Sequence, residues 1–86
     1  MYEKAVIIRN KTGLHARPAT QLVQIAKKYG SVIEIVRGDS VANAKSVLNI
    51  LALDLNAGSE VTIRAVGTDE DSAIEAIVTY IQNLKD

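Results

Sequence analysis

The chain holds one histidine in 86 residues, and it stands in the run Thr12-Gly13-Leu14-His15-Ala16-Arg17-Pro18-Ala19. Imidazole is a nucleophile in its neutral form, which is populated near pH 7. His15 falls where a turn-prone loop (Asn10-Lys11-Thr12-Gly13) gives way to a helical pattern. On position alone, a histidine there reads as a solvated loop residue. Its neighbours change that reading. A helix N-terminus presents backbone N–H groups with no intrahelical acceptor and a partial positive charge, which stabilise an anion by roughly 0.3–1 kcal/mol, and by about 2 when partly buried. Arg17 adds a fixed charge on a planar fork that matches phosphate oxygens. Nucleophile, helix terminus and guanidinium together suit a ring nitrogen that carries a phosphoryl group, so His15 and Arg17 are the catalytic candidates.

A second position of interest is Ser46. A serine before an apolar run is a common N-cap, worth about 1 kcal/mol to its helix. Thr20, Gln24 and Lys27 follow Arg17 at helical spacing and extend along one face. Val47, Leu48 and Leu51 lie on the short segment after Ser46 and read as core, but adjacent positions on a short helix cannot both point fully inward, so part of this apolar surface is expected to be exposed. No cysteine, thiolate zinc site, acid–base triad or phosphate-cradling glycine loop occurs, and neither metal nor cofactor is called for.

These residues need a frame. Residues 3 to 9 form a β-branched run and read as a strand. Ala19, Leu22, Val23 and Ala26 then recur at helical spacing, giving a helix over about 16–28 with Pro18 in its first turn and Gly30 as a stop. Residues 31–37 alternate, with Ile33 and Ile35 opposite Glu34, and Gly38-Asp39 turns into a short strand near 40–43. Ser46 opens a short helix. A strand at 60–66 follows, with Val61, Ile63 and Ala65 inward. Finally Thr68-Asp69-Glu70-Asp71 caps a helix with Ile74, Ile77, Val78, Ile81 and Leu84 as its apolar stripe. The order βαββαβα, with strands apolar on one face, predicts an α+β open-faced β-sandwich: a four-stranded antiparallel sheet covered by helices on one side. No repeat or linker interrupts it, so residues 1–86 are read as one domain.

Composition bounds the rest. A single domain of this length can bury one core but not a deep cavity as well, which places chemistry at the surface. Nothing at the N-terminus resembles an export signal and no apolar run is long enough for a bilayer, so a soluble, cytoplasmic protein without membrane insertion is expected. The formal charge is zero, yet residues 1–50 hold eight Lys and Arg against three Asp and Glu, and residues 51–86 hold two against seven. With no basic excess, and only Tyr2, Tyr29 and Tyr80 as aromatics, nucleic acid is not an expected partner.

Gly13-Leu14-His15-Ala16-Arg17-Pro18-Ala19 resembles the active-site signature of the HPr family, the histidine-containing phosphocarriers of the bacterial phosphoenolpyruvate:sugar phosphotransferase system. Ala44-Lys45-Ser46 is similar to that family's regulatory serine segment, and the likeness extends over essentially the whole chain. The resemblance implies a phosphoryl carrier rather than an enzyme, with three helices on one side of its sheet. It implies phosphorylation of His15 at Nδ1 by phospho-enzyme I with help from Arg17, onward transfer to enzyme IIA domains, and action of an HPr kinase/phosphorylase on Ser46 in some bacteria. It also implies a docking centre at Val47, Leu48 and Leu51, and a monomer is expected. The chain departs from the regulated Gram-positive pattern, which carries methionines at the positions of Leu48 and Leu51.

Three alternatives stand beside this reading. A nitrogen-regulatory member would share the fold, although members that have abandoned phosphotransfer lack the histidine. An acylphosphatase-like enzyme of similar size would need a phosphate loop and a water-positioning asparagine, a pattern that Asn10 and Arg17 do not form. A plain interaction module would leave His15 incidental.

Overall fold

Alternation along the strands decides which way the sheet faces. In the computed structural model, which describes residues 1–85, the chain runs β1 (Tyr2–Ile7), α1 (Ala16–Ala26), β2 (Val32–Arg37), β3 (Ser40–Asn43), α2 (Val47–Ala52), β4 (Glu60–Val66) and α3 (Glu70–Gln82). Val61, Ile63 and Ala65 of β4 are buried, as are Ile33 and Ile35 of β2, while the residues between them face outward. The sheet order is β1-β4-β2-β3 and every pairing is antiparallel. Its register sets Ile63 opposite Ile35 on one side and Lys4 on the other, so the apolar row runs across the two central strands.

The helices bury that row. Leu22 of α1, Ile50 of α2, and Ile74 and Ile77 of α3 are fully buried together with Ile8, Ile33, Ile35 and Ile63. Each such side chain contributes roughly 1.5–3 kcal/mol relative to exposure. On the open face, Arg64 Nε lies 2.8 Å from Glu34 Oε1 across adjacent strands in register, a pair worth about 0.2–1 kcal/mol.

The expected open-faced sandwich with three helices is the fold observed, and three details differ. β1 ends at Ile7 rather than residue 9. Ile8 leaves the strand ladder and exchanges hydrogen bonds with the turn before β4, its N–H donating to Ser59 O at 2.8 Å and its carbonyl accepting from Gly58 N–H at 2.6 Å. Helix α1 stops at Ala26, where Lys45 Nζ from the α2 approach donates to Tyr29 O at 2.8 Å and fixes the exit. Leu84 lies beyond the end of α3 and packs half-buried against the core.

Asp69 is the N-cap of α3 by position, but its side chain makes no cap bond. Its carboxylate instead accepts from the Ser31 hydroxyl, from Gly30 N–H at 2.9 Å and from Ser31 N–H at 3.0 Å. The Ser31 hydroxyl foremost, then the Gly30 amide, holds its pKa below the ordinary carboxylate value. Glu70, the first residue of α3, folds back so that its Oε1 accepts from Gly67 N–H at 3.1 Å in the turn before the helix.

Candidate functional site

The loop before α1 is held from below. Asn10 is buried and its Nδ2 donates to Gly13 O at 2.9 Å, while Gly13 N–H returns to Asn10 O at 3.2 Å. Gly13 adopts φ +68, and a Cβ there would stand 2.2 Å from Leu55 O. Only glycine fits both the dihedral and the approach. The next residue, Leu14, is buried and donates its N–H to Leu55 O at 2.9 Å.

His15 follows as the N-cap of α1, with φ −81 and ψ −169. Its carbonyl accepts the first helical hydrogen bond, from Ala19 N–H at 2.9 Å, and its ring is exposed and makes no cap bond. Because Pro18 has no N–H, the first-turn donors nearest His15 are those of Ala16 and Arg17. Arg17 is exposed in that same turn. The turn is buttressed by α3: Pro18 is fully buried, and the Tyr80 hydroxyl reaches Gln21 Oε1 at 2.6 Å and Pro18 O at 3.2 Å.

Beside the ring lies a shallow depression of about 230 Å³, lined by Thr12, Leu14 and His15 from the loop before α1 and by Leu51, Asp54, Leu55 and Asn56 from the end of α2 and the segment after it. The site is a surface feature, as the size of the domain requires. Leu51 shares it with His15, whereas Leu48 projects away and is 79% exposed. Val47 is half-buried against the core and Ile50 is fully buried, so the second helix does leave part of its apolar surface outside. Ser46 is the N-cap of α2, its Oγ accepting from Asn49 N–H at 3.3 Å.

Thr20, Gln24 and Lys27 are all exposed along α1 and its exit, but the Thr20 hydroxyl donates to Ala16 O at 2.8 Å and so turns back onto the helix. Asp54, Leu55, Arg37 and Tyr80 were not singled out by the sequence. Asp54 adopts φ +53 and is the sole non-glycine with positive φ among the described residues; aspartate is one of the few side chains that tolerate this region, which is a weak signal.

A family model described as "PTS HPr component phosphorylation site" matches residues 2–83. The chain belongs to the HPr family. Phosphocarrier protein HPr of Mycoplasma capricolum is 44% identical over 77 residues, covering 90% of this chain and 86% of that protein. The HPr-like protein Crh of Halalkalibacterium halodurans is 40% identical over 82 residues, covering 95% and 98%. Among solved structures, HPr-C-His from Thermoanaerobacter tengcongensis superposes with a TM-score of 0.92 at 44% identity, covering 95% of this chain and 92% of that one. An HPr dimer from the same organism matches at 0.76 with 44% identity, covering 95% and 94%. HPr proteins are phosphocarriers of the phosphotransferase system, and the four-stranded sheet with three helices described above is the HPr architecture. No helix among the described residues is long and apolar enough to cross a membrane.

Proposed function

We propose that His15 is the phosphoryl acceptor, taking the group from phospho-enzyme I and passing it to enzyme IIA domains of the sugar phosphotransferase system. A ring nitrogen attacks the phosphorus, the bond to the donor breaks, and the donor leaves with its electron pair; onward transfer reverses these roles with the next acceptor. The Arg17 guanidinium and the N–H groups of the first turn of α1 hold the phosphate oxygens throughout. The observation that carries the reading is the exposed His15 ring at the N-terminus of α1, without a cap bond of its own and on a loop pinned to Leu55.

A shallow site suits a carrier, because each partner completes the reacting centre and the phosphate is not committed to hydrolysis. The same reading makes the protein a cytoplasmic monomer that needs no cofactor. Leu51, beside His15, and the exposed Leu48 supply apolar contact to partners together with half-buried Val47, while Thr20, Gln24 and Lys27 border the contact along α1. Ser46 is the site for an HPr kinase/phosphorylase where the host has one. The presence of His15 favours transfer over a purely regulatory role.

The test is a relay. With enzyme I and phosphoenolpyruvate the chain should acquire one acid-labile phosphate, seen in its intact mass, and lose it on addition of an enzyme IIA domain. A chain that stays unmodified under both conditions contradicts the proposal.

A further inference from the structure

The C-terminal end of α2 is closed by a side chain from the sheet. Arg37, the last residue of β2, donates from Nη1 to Leu53 O at 2.6 Å and to Asp54 O at 2.9 Å. The last carbonyls of a helix have no intrahelical donor and carry partial negative charge, so a cation placed there meets both needs. The Arg37 backbone is itself fixed, since it pairs with Ser40 across the tight Gly38-Asp39 turn, where Gly38 has φ +57.

What this clamp holds is the segment after α2 that helps line the depression beside His15. Asp54 sits there at φ +53, a left-handed conformation that aspartate tolerates better than most side chains but that is still less favourable than the right-handed one. Leu55, directly after it, accepts the Leu14 amide at 2.9 Å and abuts Gly13. Asp54 and Leu55 line the same depression as His15. The chain of fixed points therefore runs from Arg37 through Asp54 and Leu55 to Leu14, and ends one residue before the ring.

We propose that Arg37 is a positioning residue for phosphoryl transfer at His15, acting through the Leu53–Leu55 backbone rather than by touching the phosphate. The proposal rests on the functional reading above. A residue that only stabilised α2 would lower the melting temperature and leave transfer by the folded protein alone. A positioning residue slows transfer in the folded protein, because small displacements of a reacting group carry large costs in rate.

The experiment compares Arg37→Ala, Arg37→Lys and Arg64→Ala in the full chain by three readouts: the rate of phosphorylation by enzyme I, the melting temperature, and hydrogen exchange at the Leu14 amide. Arg64 belongs to the ion pair on the open face and serves as the stability control. Arg37→Ala is expected to be phosphorylated ~10-fold more slowly and to exchange the Leu14 amide faster. Arg37→Lys, whose ammonium has donors for both carbonyls, should recover most of the rate. Arg64→Ala should lose stability without losing rate. Wild-type rate in Arg37→Ala, equal slowing in Arg64→Ala, or failure of lysine to restore the rate overturns the proposal. Should Arg37→Ala not fold, Arg37→Gln takes its place under the same criteria. Should the wild-type chain itself accept no phosphate, the functional reading fails, while exchange at Leu14 still decides whether Arg37 holds the loop: faster exchange supports that role and unchanged exchange refutes it.

Discussion

The Leu14 amide donates to the Leu55 carbonyl at 2.9 Å, joining the loop that carries His15 to the segment that leaves α2. The contact places a residue from the N-terminal sixth of the chain against one from its second half, and Gly13 makes it possible by bringing bare backbone against the same carbonyl.

Gly13→Ala therefore meets two obstacles at once, a φ of +68 and a Cβ 2.2 Å from Leu55 O. The substitution should cost roughly 2–4 kcal/mol. Thermal or urea unfolding gives the value. Wild-type stability would show that the two segments separate without penalty.

Asp69 gives the pH dependence. Its pKa is lowered in the folded state, chiefly by the Ser31 hydroxyl and then by the Gly30 amide, so its contribution to stability is fully present above the unfolded value of about 3.9 and is lost as pH falls through the folded value. Asp69→Asn should be less stable at pH 7 and should show a shallower loss of stability below about pH 4. Urea unfolding across the acid range checks this; an unchanged pH profile in the variant would mean that the clamp on Gly30 and Ser31 contributes nothing.

Much of this molecule was legible in its sequence because two periodicities do not overlap. The alternation of Val61, Ile63 and Ala65 and the helical spacing of Ala19, Leu22, Val23 and Ala26 each permit one kind of element, and a strand and a helix are what those residues form, the helix ending two residues early. The placement of His15 and Arg17 at a helix start and the Ser46 cap were legible for a similar reason, since helix starts have local signatures. What escaped was long-range. Asp69 looks like a cap in sequence, and nothing local reveals that Ser31 and Gly30 compete for its oxygens. Asn10 looks like a turn residue, although it is buried under the site loop. Arg37 and Asp54 lie 17 positions apart and meet only once the sheet and α2 have docked.

Ser46 separates capping from regulation. Its Oγ accepts from Asn49 N–H at 3.3 Å, a long bond, so Ser46→Ala should cost about 0.5–1 kcal/mol and leave transfer from enzyme I nearly unchanged. Ser46→Asp keeps a capping oxygen and places negative charge favourably at a helix start, and should be at least as stable as wild type. That same charge lies beside Val47, Leu48 and Leu51, and should make the variant the poorer acceptor. Melting curves paired with transfer rates decide it; full activity in Ser46→Asp reduces Ser46 to a helix cap.

Arg17 is exposed in the first turn of α1, so Arg17→Ala should change stability by less than about 0.5 kcal/mol. Removal of a donor aimed at transferring charge typically costs about 10²-fold or more in rate, and a loss of that order is expected with both enzyme I and enzyme IIA domains. Unchanged rates with both partners would remove Arg17 from the mechanism.

The central claim is that the phosphate resides on His15. The direct measurement is ¹H–¹⁵N NMR of the imidazole nitrogens in the ¹⁵N-labelled chain, before and after incubation with enzyme I and phosphoenolpyruvate, with His15→Ala treated in parallel. The account predicts phosphorus coupling to a His15 ring nitrogen in the wild-type chain, and a His15→Ala variant that folds normally and takes up no phosphate. Phosphate on the alanine variant, or a phosphorylated wild-type chain whose His15 resonances do not change, would contradict it.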